Sequence, residues 1–191
     1  MKGVTLFLAD GFEDMEALAT RDVLLRGQVP VQLIAVKDDY FVESSHALQV
    51  TADTSWADLL YQEEGTCAED VMIFPGGMPG SKNLAEHAEL MEIMKKHYEL
   101  GGTVAAICAA PGLVLSQLGR EVLEGKRVTC FDGFEDALIG QGAVFTGAGT
   151  ETDGRIITGK GAGHAVGFGL AILAYLKGEA CAAQVKAGLM L

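Results

Sequence analysis

Thr103-Val-Ala-Ala-Ile-Cys108-Ala-Ala-Pro-Gly112 is a short apolar run that ends in a cysteine, small residues and a proline. Because an apolar stretch from Leu113 to Leu118 follows, the order predicts a buried strand, a sharp turn at Cys108 and a helix. Such a corner points the first N–H groups of the helix at the cysteine, where they and the helix dipole favour a thiolate and an oxyanion beside it. The alternative, a cysteine that is only a small buried hydrophobe, stays open at this point.

Apolar, strand-like segments alternate with helical ones along the chain. Val4–Ala9, Val29–Val36 and Asp70–Phe74 are nearly continuous apolar runs, as expected of strands whose two faces are both covered. This alternation predicts an α/β fold with a mostly parallel sheet and helices on both faces. Because the sequence contains no internal repeat or linker, we expect residues 1–191 to form a single domain.

Three predicted turns should meet at the carboxyl ends of the strands, where sites form in parallel sheets. They are the turn at Gly11–Glu16, the turn at Gly76 and Gly77, and the corner at Cys108. Glycine lets backbone approach closely, so one of the two glycine N–H groups can join the Ala109 N–H in stabilising an oxyanion. The alternative is that the glycines form only a turn.

Two smaller features are predicted between the second and third of these strands. Phe41-Val42 and Leu48–Val50 should form a hairpin. Thr54 or Ser55 should cap a short helix that carries Trp56.

Composition argues against several kinds of partner. The chain has a net charge of −12, whereas nucleic acids and anionic membrane surfaces both require a basic face. No apolar run reaches membrane-spanning length and no basic, apolar leader is visible, so a cytoplasmic protein is the simplest interpretation. The four cysteines lie far apart, so metal-site spacing is absent. We expect Cys67, Cys130 and Cys181 to be core residues.

The histidines give no obvious base for Cys108. His87 and His97 lie in a charged helical region and are expected to be solvated, and His164 follows Lys160-Gly-Ala-Gly163 at the start of a helix. No acidic residue stands beside a histidine in an obvious relay. The glycine-rich stretch before His164 matches neither common phosphate-binding pattern, so it is weak support for a nucleotide.

The stronger candidates for a proton carrier are carboxyl groups at the start of the first helix. Glu13 and Glu16 lie three residues apart on one face of its first turn, with Asp14 between them. In an apolar site near a thiolate, a glutamate has a raised pKa and can act as a general acid or base. The alternative is that all three are solvated charges at a helix N-terminus.

Four motifs resemble those of the ThiJ/PfpI superfamily in order and spacing. They are Ala9-Asp-Gly-Phe-Glu-Asp-Met-Glu16, Phe74-Pro-Gly-Gly77, Ala105-Ala-Ile-Cys-Ala-Ala-Pro111 and Ile157-Thr-Gly-Lys-Gly-Ala-Gly163. The resemblance is greatest to the branch that holds the parkinsonism-linked protein deglycase and the bacterial ThiJ/YajL proteins, and it extends through Ala183-Gln-Val-Lys-Ala187. No single motif is decisive, but four in register are highly specific.

The resemblance implies a flavodoxin-like three-layer sandwich, a homodimer and a reaction that needs no metal or organic cofactor. It implies that Cys108 is a readily oxidised nucleophile, that Glu16 is the protonated carboxyl beside it, and that Gly77 and Ala109 supply the oxyanion N–H groups. We therefore expect a glyoxalase or deglycase, with a small carbonyl compound or a glycated protein as substrate. The alternative is a redox-sensing or chaperone-like protein that uses oxidation of Cys108.

The sequence departs from the family pattern near the cysteine. Many relatives have a histidine where this chain has Phe131, and the peptidase-like branch has one where this chain has Ala109, so a peptidase is less favoured. An arginine that lies near the site across the dimer in relatives aligns with His46, which would supply a pH-dependent charge. We expect Gly76, His46, Phe131 and His164 to be neighbours of the substrate.

Overall fold

A computed structural model describes residues 2–60 and 65–191 of the chain. The strands are β1 (Val4–Leu8), β2 (Val31–Ala35), β3 (Phe41–Glu43), β4 (Gln49–Thr51), β5 (Thr54–Ser55), β6 (Val71–Phe74), β7 (Thr103–Ile107), β8 (Arg127–Val128), β9 (Val144–Phe145), β10 (Thr150–Asp153) and β11 (Ile156–Gly159). The helices are α1 (Asp14–Arg26), α2 (Gly80–Glu86), α3 (Ala88–Glu99), α4 (Ala110–Leu113), α5 (Arg120–Leu123), α6 (Glu135–Gly140), α7 (Ala165–Lys177) and α8 (Glu179–Gly188), with 3₁₀ turns at Leu115–Leu118 and Ala162–His164.

A seven-stranded sheet forms the middle layer, in the order β10-β11-β7-β6-β1-β2-β5. Every neighbouring pair in it is parallel except β10 and β11. β1, β6 and β7 lie side by side, so their carboxyl ends meet at one edge of the sheet. The predicted flavodoxin-like sandwich, with a mostly parallel sheet between layers of helices, is confirmed.

Alternate side chains of the central strands enter two separate cores. In β1, Leu6 and Leu8 belong to the core under α1, α7 and α8, whereas Phe7 belongs to the core under α2 and α3. In β7, Ile107 faces the first core and Ala106 the second. Successive side chains of a strand point to opposite faces, so burial on both faces explains why these strands are apolar throughout.

The hairpin prediction is confirmed, and the prediction of a helix at Trp56 is wrong. β3 and β4 pair antiparallel, with Val42 opposite Val50. Thr54–Ser55 does not cap a helix but forms β5, which extends the sheet beside β2. Trp56 then packs against the ring of His87 with 4.3 Å between ring centroids.

The single helix predicted after Cys108 is wrong in part, because the chain forms α4 and then a 3₁₀ turn. The Ser116 hydroxyl donates to the Gly112 carbonyl at 2.5 Å, which provides a side-chain partner where a continuous helix would use a backbone N–H. The Gln117 N–H accordingly bonds to the Val114 carbonyl, three residues back. A macrodipole built over several turns is therefore absent, and the N–H groups nearest the corner must act locally.

The burial predicted for the cysteines is confirmed only in part. Cys130 is fully buried in the core under α2 and α3, and Cys181 is half-buried against the other core, under α1, α7 and α8. Cys67 is exposed, which contradicts the prediction of a core residue. The Cys67 N–H and thiol both donate hydrogen bonds to the Asp70 carboxylate, at 2.9 and 3.4 Å, so Cys67 belongs to a polar loop.

The prediction that His97 is solvated is wrong, and His87 is half-buried rather than free in solvent. His97 is fully buried, with Nε2 at 3.0 Å from the Asp70 carbonyl and 3.2 Å from the Thr103 carbonyl. Its Nδ1 is buried without a hydrogen-bonding partner among the described residues. His87 Nδ1 accepts the Leu90 N–H at the start of α3. Among the residues described, no helix is both long and apolar enough to span a bilayer.

His97→Gln should weaken the pH dependence of stability. Burial lowers the pKa of His97, so its contribution to stability is complete above the ordinary histidine pKa and is lost as the pH falls below it. Between about pH 7.5 and about pH 5.5 the wild type should lose more free energy of unfolding than the variant does. Denaturant unfolding of both proteins at each pH measures this, and parallel stability curves would contradict it.

Candidate active site

Cys108 stands at the carboxyl end of β7 in a left-handed backbone conformation, with φ of 66°. A non-glycine residue adopts this conformation at a steric cost, and such residues are concentrated at functional sites. Two hydrogen bonds hold the corner in place. The Cys108 N–H donates to the Gly159 carbonyl at 3.0 Å, and its carbonyl accepts the Phe131 N–H at 2.8 Å.

Glu16 lies in the first turn of α1, with only 1% of its surface exposed. Its Oε2 accepts the Gly76 N–H at 2.8 Å, and its Oε1 accepts no N–H or O–H in the described part of the chain. Burial raises the pKa of Glu16 to about 7, and the charge of Glu13 adds to the rise. Hydrogen bonds with the Cys108 thiol and the Gly76 N–H act in the opposite direction. The solvated alternative is therefore excluded for Glu16.

The Cys108 thiol and the Glu16 carboxyl titrate as a coupled pair. Burial first, and then the charge of Glu16 and its hydrogen bond, raise the pKa of Cys108 to about 12. The N–H groups of Gly77 and Ala109 donate toward the sulfur and oppose this rise. Since negative charge on either group disfavours it on the other, the first proton leaves the pair near pH 7 and the second is retained to high pH.

Gly76 and Gly77 bring backbone against the two reactive groups. A methyl group added at Gly76 would overlap the Glu16 carboxylate and lie 2.5 Å from Cβ of Cys108. Gly77 has φ of 94°, and a methyl group there would overlap the Gly11 carbonyl. The turn is therefore a close approach that requires glycine, and the alternative of an ordinary surface turn is excluded.

Of the other expected neighbours of the substrate, Phe131 is hydrogen-bonded to the corner, whereas His46 and His164 bond to or pack against other segments. The Phe131 N–H donates to the Cys108 carbonyl, and the residue is half-exposed. His46 is exposed and its Nδ1 lies 2.6 Å from Asp14 Oδ2, so it faces the start of α1. His164 is exposed and packs over Gly149. Within the described ranges, which include all four histidines, no hydrogen bond joins any of them to Cys108.

The sequence did not indicate the part that Gly159 plays. Its carbonyl receives the Cys108 N–H, and a methyl group on it would lie 2.8 Å from Cγ1 of Ile107. A small residue at the end of a predicted strand was the available signal, but a glycine there is also typical of an ordinary turn. Glu13 was considered as a proton carrier, yet its Oε2 accepts the Glu16 N–H at 2.8 Å as the cap of α1.

One set of three potential metal ligands lies close together in the portion of the chain described. The ligand atoms of Glu13, Asp14 and His46 are all within 4.8 Å of one another. Asp14 already pairs with His46, and Glu13 already caps α1, so their known roles require no ion.

Comparisons with known proteins agree with the fold. The sequence model of the DJ-1/PfpI family matches residues 2–175. Protein DJ-1 homolog A of Arabidopsis thaliana is 33% identical over 190 residues, which cover 100% of this chain and 47% of that protein. The chain thus spans about half the length of this plant relative. The Parkinson disease protein 7 homolog of Danio rerio is 32% identical over 191 residues, which cover 100% of this chain and 97% of that protein.

Two further similarities bear on chemistry. Glutathione-independent glyoxalase DJR-1.2 of Caenorhabditis elegans is 31% identical over 166 residues, covering 87% of this chain and 83% of that protein. The solved structure of oxidized Toxoplasma gondii DJ-1 has a TM-score of 0.87 and 28% identity, covering 98% of this chain and 97% of that one. The sheet order and the layers of helices define a flavodoxin-like α/β protein, with Cys108 at a sharp turn between β7 and α4. The chain belongs to the DJ-1/PfpI family.

Gly76→Ala should destabilise the protein, because the added methyl group overlaps a buried carboxyl and the cysteine corner. Overpacking of this kind costs about 1–3 kcal/mol of the free energy of unfolding. Gly140→Ala is the matched control, since a methyl group there meets no atom within 4 Å. Chemical denaturation of both variants measures the difference, and equal stabilities would contradict the close approach.

Glu16→Gln should change the pH profile of Cys108 alkylation by iodoacetamide. In the wild type, the loss of one proton from the pair near pH 7 allows a fraction of the sulfur to be thiolate, so the rate should rise through that pH and then level off. The variant lacks the titrating carboxyl and should show no inflection there. Peptide mass spectrometry separates Cys108 from the exposed Cys67, and identical profiles would remove Glu16 from its role.

Proposed function

We propose that this protein is a cysteine-dependent glyoxalase or deglycase that acts on 2-oxoaldehydes or early glycation adducts. The observation that carries the proposal is the buried Glu16 carboxyl, with a pKa raised to about 7, in contact with the Cys108 thiol. A general acid and base works best when its pKa is near the working pH. The family also includes a relative named as a glutathione-independent glyoxalase.

The first step is addition of the Cys108 thiolate to the aldehyde carbon. The C–S bond forms while the π electrons of the carbonyl move to oxygen, which gives a hemithioacetal oxyanion. The N–H groups of Gly77 and Ala109, which face the sulfur, are suited to stabilise this charge. Glu16 then gives its proton to the oxygen and becomes a carboxylate.

The second step is an internal oxidation and reduction. The Glu16 carboxylate removes the proton from the carbon bonded to sulfur, the electron pair moves to the neighbouring carbonyl oxygen, and an enediolate forms. The hydroxyl proton passes to that oxygen, and Glu16 returns its proton to the neighbouring carbon, which leaves a thioester. One carbon is thereby oxidised and its neighbour reduced without an external electron acceptor. Water then cleaves the thioester, which releases a 2-hydroxy acid and restores the thiol. With a glycation adduct as substrate, the amine or thiol of the protein leaves when the C–S bond to Cys108 forms.

A homodimer, as the family resemblance implies, and a cytoplasmic location, as the sequence predicts, are part of the same proposal. His46 is paired with Asp14 and its side chain is exposed, so it is open to contact with a second copy of the chain. A peptidase is not proposed, since Ala109 follows the cysteine and no histidine in the described chain contacts the sulfur.

Cys108→Ser should lower the conversion of methylglyoxal to lactate by more than about a thousandfold, because a hydroxyl is a far weaker nucleophile. Glu16→Gln should lower it by about 10²–10⁴-fold through loss of the proton carrier. Cys67→Ser is the matched control, since this exposed residue lies in a loop and should retain full turnover. Lactate formation by purified, reduced protein is the measurement.

The second candidate function is redox sensing through Cys108. The N–H groups that face the sulfur and a protonated Glu16 would also stabilise a sulfinate, and a relative has been solved in an oxidized form. The same preparation distinguishes the two functions. Substantial turnover by Cys108→Ser would contradict the enzyme proposal. Redox sensing would be favoured if the reduced wild type had no turnover and mass spectrometry showed two oxygens gained at Cys108 after mild peroxide treatment.

A further inference from the structure

A cavity of about 560 Å³ lies between the β3–β4 hairpin and the turn that follows β6. Its walls include an ion pair, two further carboxylates and two apolar side chains. These are Asp10, Lys37, Asp39, Glu43, Phe41 and Met78. A volume of this size is typical of ligand-binding pockets in proteins.

The cavity begins close to the reactive sulfur. Gly77 donates its N–H toward Cys108, and the next residue, Met78, lines the cavity. Successive Cα atoms are about 3.8 Å apart, so the N–H group facing the sulfur belongs to the residue directly before the cavity wall. Gly11, whose carbonyl packs against Gly77, lines the cavity as well.

The charge inside the cavity is negative. Lys37 Nζ lies 2.9 and 2.7 Å from the two carboxylate oxygens of Asp10, so these two charges offset one another. Of the described residues that line the cavity, Lys37 is the only basic one. Asp39 and Glu43 remain, and neither makes an ion pair among the residues that the structure describes. The cavity therefore has two carboxylates that a cation can neutralise.

The apolar part of the wall suits the stem of a long cationic side chain. Phe41 and Met78 are 47% and 50% exposed, so their apolar atoms are accessible to a ligand in the cavity. An arginine can stack its guanidinium on an aromatic ring while its methylene groups cover apolar surface. Carboxylates beside such a ring then accept the guanidinium N–H groups.

We propose that this cavity binds an arginine side chain of a polypeptide. Charge complementarity selects a cation, and the aromatic wall favours arginine over a smaller cation. The α-carboxylate of a free amino acid would be repelled by Asp39 and Glu43, whereas the backbone of a polypeptide carries no such charge. The inference goes beyond the proposed reaction, because it gives the protein a second binding site that neither the cysteine nor Glu16 forms.

The test is a binding titration followed by NMR, with ¹⁵N-labelled protein and a capped hexapeptide that contains one arginine. The same peptide with citrulline in place of arginine has the same shape without the charge. The wild type should bind the arginine peptide about threefold to tenfold more tightly, with shifts at the Phe41 and Met78 amides. In Asp39→Asn/Glu43→Gln this preference should fall below about twofold.

A matched control removes the same charges elsewhere. Glu92→Gln/Asp136→Asn replaces two exposed carboxylates that do not line the cavity and should leave the preference unchanged. Equal loss in both double variants would assign the effect to the net charge of the protein and overturn the site. Equal binding of both peptides by wild type would overturn it too, and free arginine that binds as tightly as the peptide would contradict a polypeptide ligand. None of these results depends on methylglyoxal turnover, so failure of the proposed reaction is detected separately.

Discussion

The contact between the buried Glu16 carboxyl and the Cys108 thiol is the interaction on which the site depends. A carboxylate in a dry position is costly unless it is hydrogen-bonded or protonated. Glu16 has one N–H partner, from Gly76, and the thiol as its other neighbour. The proton that burial retains on Glu16 near neutral pH is therefore the same proton that the proposed reaction uses. Structure and reactivity share a single cause here, the exclusion of water from α1 where it meets the end of β7.

Three separate segments meet at this contact: α1 supplies the Glu16 side chain, the corner supplies Cys108, and the turn after β6 supplies backbone groups. The Gly76 carbonyl accepts the Glu13 N–H at 3.0 Å while the Gly76 N–H donates to Glu16, so a single residue binds the first turn of α1 at two points. The Gly159 carbonyl and the Phe131 N–H fix the corner from the other side. Side chains at such a site are positioned by backbone hydrogen bonds, which explains why glycine is needed where the segments approach most closely.

The sequence predicted the layers of the fold and the residues of the corner because both have local signals. Apolar strands such as β1 and β7 are covered on both faces, and the small residues after Cys108 mark a turn. β10 was not predicted, since its sequence Thr-Glu-Thr-Asp is polar and its pairing with β11 is decided by position in the sheet. The burial of His97 was missed for a similar reason, because its partners are carbonyl groups of Asp70 and Thr103, and backbone carbonyls leave no trace in a sequence. The residues alone left three acids open in the first turn of α1. The family resemblance implied Glu16, and the fold buries Glu16 but neither Glu13 nor Asp14.

The left-handed conformation of Cys108 has a consequence for the history of this corner. Glycine adopts that conformation without the clash that a Cβ atom creates, which amounts to about 1–2 kcal/mol. A chain shaped by folding alone would gain by exchanging this cysteine for glycine, and it would lose the thiol of the proposed reaction in the same step. At this corner, the substitution that raises the stability of the fold is thus the one that removes the thiol. Stabilised versions of this protein obtained without a requirement for thiol chemistry should therefore be found to have lost the sulfur first.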